Sequence, residues 1–471
     1  MLPLLASRDE LEPAALEAEV QRRGRAVWTE IQAELPGLAQ PDYWQDRLLA
    51  LIMRDPAFKF DVFRFVDVLP ALDTTAEMAA HIRAYLLPHG HELPRALAVA
   101  LEASAKGLTA PLAARLIRRQ TAALAERFIV GRDAASAVPV LRRLHAAGLG
   151  FTADLLGEAV LSAAESDVYR DRYLDLIDRL ADAVPAWPAQ PLLDADDRGP
   201  LPRAQVSLKV SAFAPWLDPA DTEGAVARLR ARLLPVLCRA RERGVFVTFD
   251  LEQWELRGLI LRTFHDLLLA PELRDWPHVG IALQAYLHSA AADLEQLLAL
   301  ARKRDTPFSV RLVKGAYWDY ETAHARQTGL PCPVLGEKAA TDRNFEHLSV
   351  TLFRHAEWLH PAIASHNLRS LVHALVVAER LRVAPATWEL QMLYGMAPAE
   401  QRVLARSGQR LRLYAPVGEL LPGMAYLVRR LLENTSNVGF IRLGFHEHRD
   451  LAEILAPPAP RFFPVEITAH G

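Results

Sequence analysis

The sequence FSVRLVKGAYWDYETAHARQTG (residues 308–329) contains the unit that decides the fold: a short β-rich run that ends at a glycine, followed by a helical stretch. Similar runs recur between helical stretches, at Gln205–Ala212, Val245–Glu252, Gly280–Tyr286, Phe308–Gly315, Pro361–Asn367, Trp388–Leu393 and Leu411–Pro416. Strands that alternate with helices are typical of a parallel sheet. These runs, with Val438–Gly444 as a candidate eighth strand, predict an (α/β)8 barrel.

The alternative architecture is an open doubly wound sheet, which usually has a glycine-rich phosphate-binding turn after its first strand. No such turn follows Gln205–Ala212. A dinucleotide pattern, G-x-G-x-x-A, does occur at Gly148–Ala153, but it follows the helical stretch Val138–Ala147 instead of a strand. We therefore do not interpret it as a nucleotide site, and the barrel is the favoured architecture.

The N-terminal part of the chain has a different pattern. Over residues 13–184 apolar side chains recur mostly at helical spacing, as in Leu16, Val20 and Val27, and we expect this part to be helical. Five prolines and several aspartates follow between Val184 and Pro202, a composition typical of a connector. A domain boundary near residue 200 is therefore predicted.

The composition excludes some classes of function. Lys and Arg number 54 against 57 Asp and Glu, and a formal charge of -3 provides no basic surface for nucleic acid. The cysteines are Cys238 and Cys332, and neither a signal peptide nor a run of about 18 apolar residues is present, which indicates a reducing, cytoplasmic compartment. His446 and His448 lack neighbouring ligands at metal-binding spacing, so no metal site is predicted.

Side chains alternate between the two faces of a strand, and each β-rich run therefore sends one set toward the barrel interior. In the first run Val206, Leu208 and Val210 form the outer set, so Lys209 is an inner residue. The inner polar residues near the strand ends are Lys209, Asp250, Gln284, Arg311, His366, Gln391 and Tyr414. Barrel enzymes draw catalytic residues from several strand ends at this rim. Any one of these residues can be structural. Several buried charges together need partners, because breaking a buried ion pair costs about 3–5 kcal/mol. The cluster therefore predicts a ligand site.

Two further segments extend this rim. Residues 311–318, RLVKGAYW, combine two cations, a glycine and two aromatic rings, which suits a flat anionic ligand with phosphates; the alternative is a strand end with a protective lysine. Residues 426–434, YLVRRLLEN, form a helix in which Arg429 and Arg430 suit bidentate capture of a carboxylate. The alternative is a solvated helix face paired with Glu433, and spacing alone leaves both interpretations open.

The chain resembles the proline dehydrogenase domain of the bacterial proline utilization A flavoproteins in eight ordered runs: VSLKVSAF, TFDLEQ, LQAY, RLVKGAYWD, SHN, LQMLYGM, LYAPVG and AYLVRRLLEN. The similarity covers roughly residues 200–445, and weaker matches at Phe63–Leu72 and Gly150–Ala159 resemble the helical arm and α-domain of that family. The resemblance implies a distorted (β/α)8 (TIM-like) barrel preceded by an all-helical N-terminal arm and α-domain. The implied parts are a helical arm (1–75), an α-domain (76–185), a linker (186–203), the barrel (204–450) and a C-terminal tail (451–471).

The resemblance also implies a non-covalent FAD at the rim. The matching flavin positions are Gln284, Arg311, Val313, Lys314, Gly315, Ala316, Tyr317, Trp318, Lys338, Thr341, His366, Asn367, Gln391, Leu393, Glu433 and Phe440. The matching substrate positions are Lys209, Asp250, Tyr414, Arg429 and Arg430. One position departs from the family pattern, because Gly439 stands where the family commonly has a serine. A hydrogen bond to the flavin is expected to be missing there.

The reaction implied by the resemblance is the oxidation of L-proline to 1-pyrroline-5-carboxylate by hydride transfer to flavin N5, the first step of proline catabolism to glutamate. Arg429 and Arg430 would clamp the carboxylate, and tyrosine at position 414 implies proline instead of hydroxyproline. The implied partners are a quinone electron acceptor reached by peripheral contact with the inner membrane, a second copy of the chain in a homo-oligomer, and a pyrroline-5-carboxylate dehydrogenase, either separate or on the same polypeptide.

Two other functions fit parts of the sequence. A cofactor-independent Schiff-base aldolase could use Lys209 or Lys314 at a strand end to form an imine, but that chemistry does not require the aromatic and twin-arginine motifs. A non-catalytic scaffold built on the helical third would have no need to keep buried charges in its barrel. The flavoenzyme accounts for more of the sequence than either alternative.

Overall fold

The computed structural model describes residues 11–35, 56–68, 72, 74–86, 127–157, 160–419 and 451–458. The strands in this part of the chain are β1 (Gly150–Leu155), β2 (Ala195–Asp196), β3 (Gly199–Pro200), β4 (Gln205–Leu208), β5 (Phe246–Phe249), β6 (Val279–Gln284), β7 (Phe308–Val313), β8 (Leu359–Ala364), β9 (Glu389–Leu393) and β10 (Leu411–Val417). Strands β2 and β3 form a separate antiparallel ribbon. The other eight form a closed parallel barrel in the order β1-β10-β9-β8-β7-β6-β5-β4, and β1 pairs with both β10 and β4.

Helices alternate with the barrel strands, as the sequence pattern predicts. Those in the described residues are α1 (Pro13–Ala33), α2 (Pro56–Val68), α3 (Thr75–His81), α4 (Ala134–Ala146), α5 (Ala163–Ala183), α6 (Pro191–Asp194), α7 (Thr222–Glu242), α8 (Trp254–Leu268), α9 (Ala290–Arg304), α10 (Trp318–Thr328), α11 (Lys338–Arg354), α12 (Leu368–Arg380), α13 (Pro398–Arg406) and α14 (Leu451–Leu455). Each strand from β4 to β9 is followed by at least one helix, which is the (β/α)8 arrangement. None of the described helices is long and apolar enough to cross a membrane.

Strand β7 shows how the sequence builds both layers of the barrel. Phe308, Val310 and Leu312 are buried in the core between the strands and the outer helices. The Phe308 ring packs edge-on against Phe264 of α8, with 5.3 Å between ring centroids. Arg311, on the opposite face, lines a cavity inside the barrel. A strand that is buried on both faces in this way is typical of a parallel sheet covered by helices.

The expectation that residues 13–184 are helical throughout is wrong at Gly150–Leu155. This segment is a fully buried strand, so the barrel begins before the predicted boundary near residue 200. Its sequence, GFTADL, has no apolar run, because Thr152 and Asp154 share the inner face of the strand, and the local signal for a strand is correspondingly weak. The predicted eighth strand, Val438–Gly444, lies outside the described residues, and the barrel closes without it.

Two predicted boundaries also differ from the structure. The run Gln205–Ala212 is a strand only to Leu208, because residues 210–213 turn into a 3-10 helix. The predicted connector between Val184 and Pro202 contains α6 and the β2–β3 ribbon. The glycine pattern at residues 148–153 leads from α4 into β1, and this helix-to-strand order is the reverse of a dinucleotide motif.

Helix α1 packs against the outside of the barrel, on α12 and α14. Val20, Ile31, Val372 and Leu455 belong to one buried apolar cluster at this contact. A Cβ atom added at Gly24 would lie 2.6 Å from Leu455 Cδ2, so glycine permits the close approach of α1 and α14. The N-terminal and C-terminal described segments therefore meet on one face of the barrel.

Candidate active site

A cavity of about 1010 Å³, counted with its open mouth, lies at the C-terminal ends of the barrel strands. The inner residues predicted from strand alternation all reach it, as does the segment that follows β7. The predicted site residues that line this cavity are Lys209, Asp250, Gln284, Arg311, Val313, Lys314, Gly315, Ala316, Tyr317, His366, Gln391, Leu393 and Tyr414. The convergence expected at one rim is therefore observed.

Four predicted residues do not line the cavity. Trp318 is partly exposed at the start of α10, and its Nε1 donates to a backbone carbonyl at 2.9 Å. Lys338 and Thr341 lie in the first turn of α11. Asn367 caps α12, where its side-chain oxygen accepts from Ser370 N at 3.0 Å. The remaining predicted residues lie outside the described part of the chain: Arg429, Arg430, Glu433 and Phe440, together with Gly439.

Arg311 is the centre of the hydrogen-bond network in the cavity. Its Nη1 donates to Asp250 Oδ1 at 2.7 Å and to Ser207 Oγ at 2.9 Å. Its Nε donates to Gln391 Oε1 at 2.7 Å. Tyr414 OH donates to the other Asp250 oxygen at 2.8 Å, and the guanidinium lies over the Tyr414 ring. Residues from β4, β9 and β10 and the residue that follows β5 thus fix one buried cation of β7.

A second ion pair lies next to this network. Lys209 Nζ donates to Asp154 Oδ1 at 2.5 Å, and Asp154 is fully buried on β1. Burial raises the pKa of the Asp154 carboxyl group, and the Lys209 ammonium opposes that shift. Asp154 is not among the predicted site residues, because the pattern around it predicts a helix and not a strand.

Glu252 is a further cavity residue that is not among the predicted site residues. Its carboxylate accepts from Ser211 N at 3.0 Å and from Ser211 Oγ, so it ties the end of β5 to the turn after β4. Burial raises the pKa of this carboxyl group, against the effect of the Ser211 hydrogen bonds. Alternation could have identified it, because Glu252 lies two residues after Asp250 in the same predicted run.

Three buried polar atoms in the cavity have no hydrogen-bond partner in the described part of the chain: Arg311 Nη2, Gln284 Oε1 and His366 Nδ1. The Gln284 amide nitrogen donates to two backbone carbonyls at 3.2 Å, which leaves its oxygen as an acceptor. His366 Nε2 accepts from Leu393 N at 2.9 Å, so the ring proton is on Nδ1, and burial lowers the His366 pKa to about 4. The cavity thus offers two donors and one acceptor, each of which costs about 1–3 kcal/mol if unpaired.

Gly315 shapes the wall of the cavity after β7. Its φ of 133° is rarely adopted by residues with a side chain, and a Cβ atom there would lie 2.4 Å from Tyr286 Cγ. The preceding Lys314 is held by Asp342 of α11, with 2.5 Å between Nζ and Oδ1. A glycine is therefore required where this loop meets the cavity.

The arrangement suits a ligand that carries both hydrogen-bond donors and acceptors. No group of three or more His, Cys, Asp or Glu side chains placed to hold a metal occurs among the described residues. The cations that line the cavity are each paired with a carboxylate: Lys209 with Asp154, Arg311 with Asp250 and Lys314 with Asp342. The free atoms are instead hydrogen-bond donors and an acceptor around a partly apolar space.

Comparison with known families places most of the chain in one of them. The family model described as "Proline dehydrogenase" matches residues 137–443, a range that includes β1. The model described as "Proline utilization A N-terminal domain" matches residues 17–128. The first match covers the whole barrel and the second covers much of the preceding region.

Curated relatives agree with these matches. The chain is 30% identical over 342 residues to the bifunctional protein PutA of Escherichia coli (strain K12), which is 71% of this chain and 25% of that protein. It is 30% identical over 316 residues to proline dehydrogenase 2 of Bacillus subtilis (strain 168), which is 67% of this chain and 88% of that protein. The chain thus spans about a quarter of the length of its bifunctional relatives.

Solved structures of similar proteins have the same fold. Proline utilization A from Bdellovibrio bacteriovorus, inactivated by N-propargylglycine, superposes with a TM-score of 0.85 at 37% identity, over 94% of this chain and 44% of that one. A proline utilization A mutant from Bradyrhizobium japonicum superposes with a TM-score of 0.70 at 27% identity, over 97% of this chain and 48% of that one. The barrel and its helical surroundings are therefore shared.

Proposed function

The chain belongs to the proline dehydrogenase family, and from this premise we propose that it oxidises L-proline to 1-pyrroline-5-carboxylate with bound FAD, the first step of proline catabolism to glutamate. The observation that carries the proposal is the barrel-rim cavity in which Arg311, Gln284 and His366 each present a buried polar atom that has no partner in the described residues. Such atoms persist at a site where a ligand completes their hydrogen bonds.

The residues of the cavity fit an isoalloxazine ring. This ring carries an imide N–H, which needs an acceptor such as Gln284 Oε1, and carbonyl and ring-nitrogen acceptors, which need donors such as Arg311 Nη2. When bound, FAD supplies the hydride acceptor at its N5 atom. The guanidinium of Arg311 favours the reduced, electron-rich state of a ring beside it.

The other flavin contacts are proposed from the family. Lys314, Gly315 and the two aromatic residues after them suit the phosphates and the flat rings, because they combine positive charge, close backbone approach and stacking surface. The remaining proposed flavin residues are Val313, Ala316, Lys338, Thr341, His366, Asn367, Gln391, Leu393, Glu433 and Phe440.

The charges of the cavity support a substrate clamp outside the described residues. Lys209 and Arg311 are already neutralised by Asp154 and Asp250, so the network alone has little positive charge to spare for an amino acid carboxylate. The adjacent arginines at positions 429 and 430 provide that charge in our proposal, with a geometry suited to bidentate contacts. Tyr414, held by Asp250, forms a wall of the substrate pocket.

The Schiff-base aldolase alternative loses support. An imine requires a neutral amine, and Lys209 is held by the Asp154 carboxylate while Lys314 is held by Asp342. Both amines donate hydrogen bonds to these carboxylates, so neither is placed to attack a carbonyl carbon. An oxidoreductase that uses these lysines as cations agrees better with the contacts.

The partners follow from the proposed reaction. Electrons on the reduced flavin need an acceptor, and we propose a quinone reached by peripheral contact at the cytoplasmic side of the inner membrane. The product passes to a pyrroline-5-carboxylate dehydrogenase, and the enzyme works as a homo-oligomer in this proposal.

The proposed function is tested with the purified protein. An absorption band at roughly 450 nm indicates bound flavin, and anaerobic addition of L-proline should bleach it. D-proline serves as the control, because the clamp orients one enantiomer. A protein without the band, or a band that L-proline leaves unchanged, contradicts the proposal.

A further inference from the structure

Below the cavity, the barrel interior holds a second layer of charged side chains. Glu389 and Arg412 lie two residues before Gln391 and Tyr414 on β9 and β10, and therefore point to the same interior. Arg412 Nε lies 2.8 Å from one Glu389 oxygen and 3.0 Å from the other, and Arg412 Nη1 donates to Phe151 O at 2.9 Å. Both side chains are buried. The proposed reaction gives this ion pair no direct contact with substrate.

Glu389 also fixes the orientation of the Gln391 carboxamide. Gln391 Nε2 donates to Glu389 Oε1 at 2.6 Å, and Gln391 Oε1 accepts from Arg311 Nε at 2.7 Å. A reversed amide would place its NH2 group against the Arg311 donor and its oxygen against the Glu389 carboxylate. Because both contacts would then be repulsive, the carboxamide has one stable orientation.

The Glu389 carboxyl group is ionised in this arrangement. Burial alone would raise its pKa, but the Arg412 guanidinium, the charge of Arg410 and the hydrogen bond from Gln391 together outweigh burial, and the pKa lies below its usual range. An ionised carboxylate only accepts hydrogen bonds. The direction of each hydrogen bond is therefore fixed: Arg412 and Gln391 donate to Glu389, and Arg311 donates to Gln391.

We propose that Glu389 is a positioning residue for the flavin reaction: through the Gln391 carboxamide it holds the Arg311 guanidinium at the cavity. The free Arg311 Nη2, which has no partner in the described part of the chain, is thereby held ready for the ligand. The inference rests on the proposed function, because it assigns that ligand as the flavin. Arg412 is the counter-ion that allows a carboxylate to be buried there.

The expected consequence is electrostatic. A guanidinium held beside the flavin stabilises the reduced ring. Loss of the Nε contact to Gln391 leaves Arg311 held only by its contacts to Asp250, Ser207 and Tyr414, so the guanidinium is less fixed and the midpoint potential of the flavin falls. We expect the ratio of reduced to oxidised flavin to fall about tenfold at a fixed ambient potential. For a two-electron couple this corresponds to about 30 mV.

The test is a cycle of variants of the flavin-loaded protein. Glu389→Leu with Arg412→Met removes the ion pair without leaving either charge buried alone. Gln391→Met removes the link, and the triple variant removes all three side chains. Midpoint potentials are measured by anaerobic titration against redox dyes. The pair variant and Gln391→Met should both shift the potential downward, and the triple variant should show no further shift than Gln391→Met, because the effect of Glu389 passes through the amide.

Other roles of the ion pair give other results. If the pair only stabilises the barrel, its removal changes the free energy of unfolding and leaves the potential at the wild-type value. If the ion pair acts on the flavin directly through its electrostatic field, its removal shifts the midpoint potential by the same amount with and without Gln391. Either result overturns the proposal.

A second variant is available if the pair variant does not fold. Glu389→Gln keeps the size of the side chain and offers one oxygen to the donors of Arg412 and Gln391, so we expect a smaller downward shift of the midpoint potential. When Gln391 is methionine, Glu389→Gln should cause no further shift. An unshifted potential, or an equal shift in both backgrounds, overturns the proposal here too. A wild-type protein without a flavin band that L-proline bleaches contradicts the proposed function instead, and this is seen before any variant is made.

Discussion

Two buried arginines, Arg311 in the cavity and Arg369 on α12, carry the same side chain into two different environments. Arg369 pairs with Glu17 of α1 and Glu346 of α11, with contacts of 2.8 to 3.2 Å, and also donates to Leu455 O of α14 at 2.6 Å. Each of its guanidinium nitrogens has an acceptor. Arg311 is equally buried, yet its Nη2 has no partner among the described residues.

This difference separates a structural guanidinium from one prepared for a ligand. At Arg369 the hydrogen bonds join both described ends of the chain to the barrel helices. Because every guanidinium nitrogen already has an acceptor, none is available to bind another molecule. At Arg311 the fold accepts an unpaired donor, at a cost of about 1–3 kcal/mol that a ligand would recover. Substitution of each arginine by methionine should therefore affect different properties.

Replacing Arg311 should have the largest effect, and it should be on function. Arg311→Met removes the cation that we place beside the flavin, so kcat/KM for proline should fall about a thousandfold, or about 4 kcal/mol. The flavin-to-protein absorbance ratio of the purified variant should also fall. Steady-state kinetics with added FAD and a thermal melt separate these effects from misfolding. Wild-type kinetics in a folded Arg311→Met protein would show that Arg311 has no role in the reaction.

Replacing Arg369 should affect stability instead. Arg369→Met leaves Glu17 and Glu346 without their buried partner, and the loss should be about 3 kcal/mol of unfolding free energy. Urea unfolding measures this value, while the flavin content and kcat/KM at 25 °C should remain near wild type. A variant that keeps its stability and loses its flavin would show that the two arginines do not differ in the way proposed.

The barrel was largely predictable from the sequence, because each β-rich run is a local pattern. Strand β7 could be identified from Phe308–Val313 alone, since three apolar side chains alternate with Ser309, Arg311 and Val313. Strand β1 could not be identified this way. Its inner face carries Thr152 and Asp154, and its pairing partners β4 and β10 are distant in the chain, so only closure of the barrel makes it a strand.

The site was predictable as a set of residues but not as a network. Alternation alone brings Arg311, Asp250 and Tyr414 to one interior. Their hydrogen bonds depend on the register between strands, which no local pattern contains, and so the contact of Arg311 with Ser207 was not foreseen. Asp154 was missed for a simpler reason, because its strand was missed.

The carboxylate clamp gives a prediction of intermediate size. Arg430→Met removes a charge-assisted, bidentate contact worth about 1.5–3 kcal/mol, so KM for L-proline should rise about 10- to 100-fold, with a smaller change in kcat. The matched control is Arg402→Met, which removes an arginine that pairs with Glu34 on the outer surface, 2.9 Å apart. If both variants have the wild-type KM for L-proline, the carboxylate is bound by other residues.

The smallest effect concerns a histidine in each of the two regions. His366 is partly buried at the cavity and His373 is buried beside Arg369, and desolvation lowers both pKa values from 6.5 to about 4. In the unfolded chain these rings bind a proton near pH 6.5, whereas in the folded chain they stay neutral. Their contribution to stability is therefore complete above pH 6.5 and is lost as the pH falls from 6.5 toward 4.

His373 allows this contribution to be measured away from the cavity. Between pH 7 and pH 6 one such histidine should lower the free energy of unfolding by about 0.7 kcal/mol, so His373→Gln should lose that much less stability than wild type over the same interval. Urea unfolding at both pH values gives the difference, and His265→Gln, which removes a partly exposed ring far from both arginines in sequence, is the control. Because His373 lies beside Arg369 and not at the cavity, the change should be the same with and without added FAD. A dependence on FAD would mean that the two regions are coupled, and the division between a structural and a functional arginine would then be too simple.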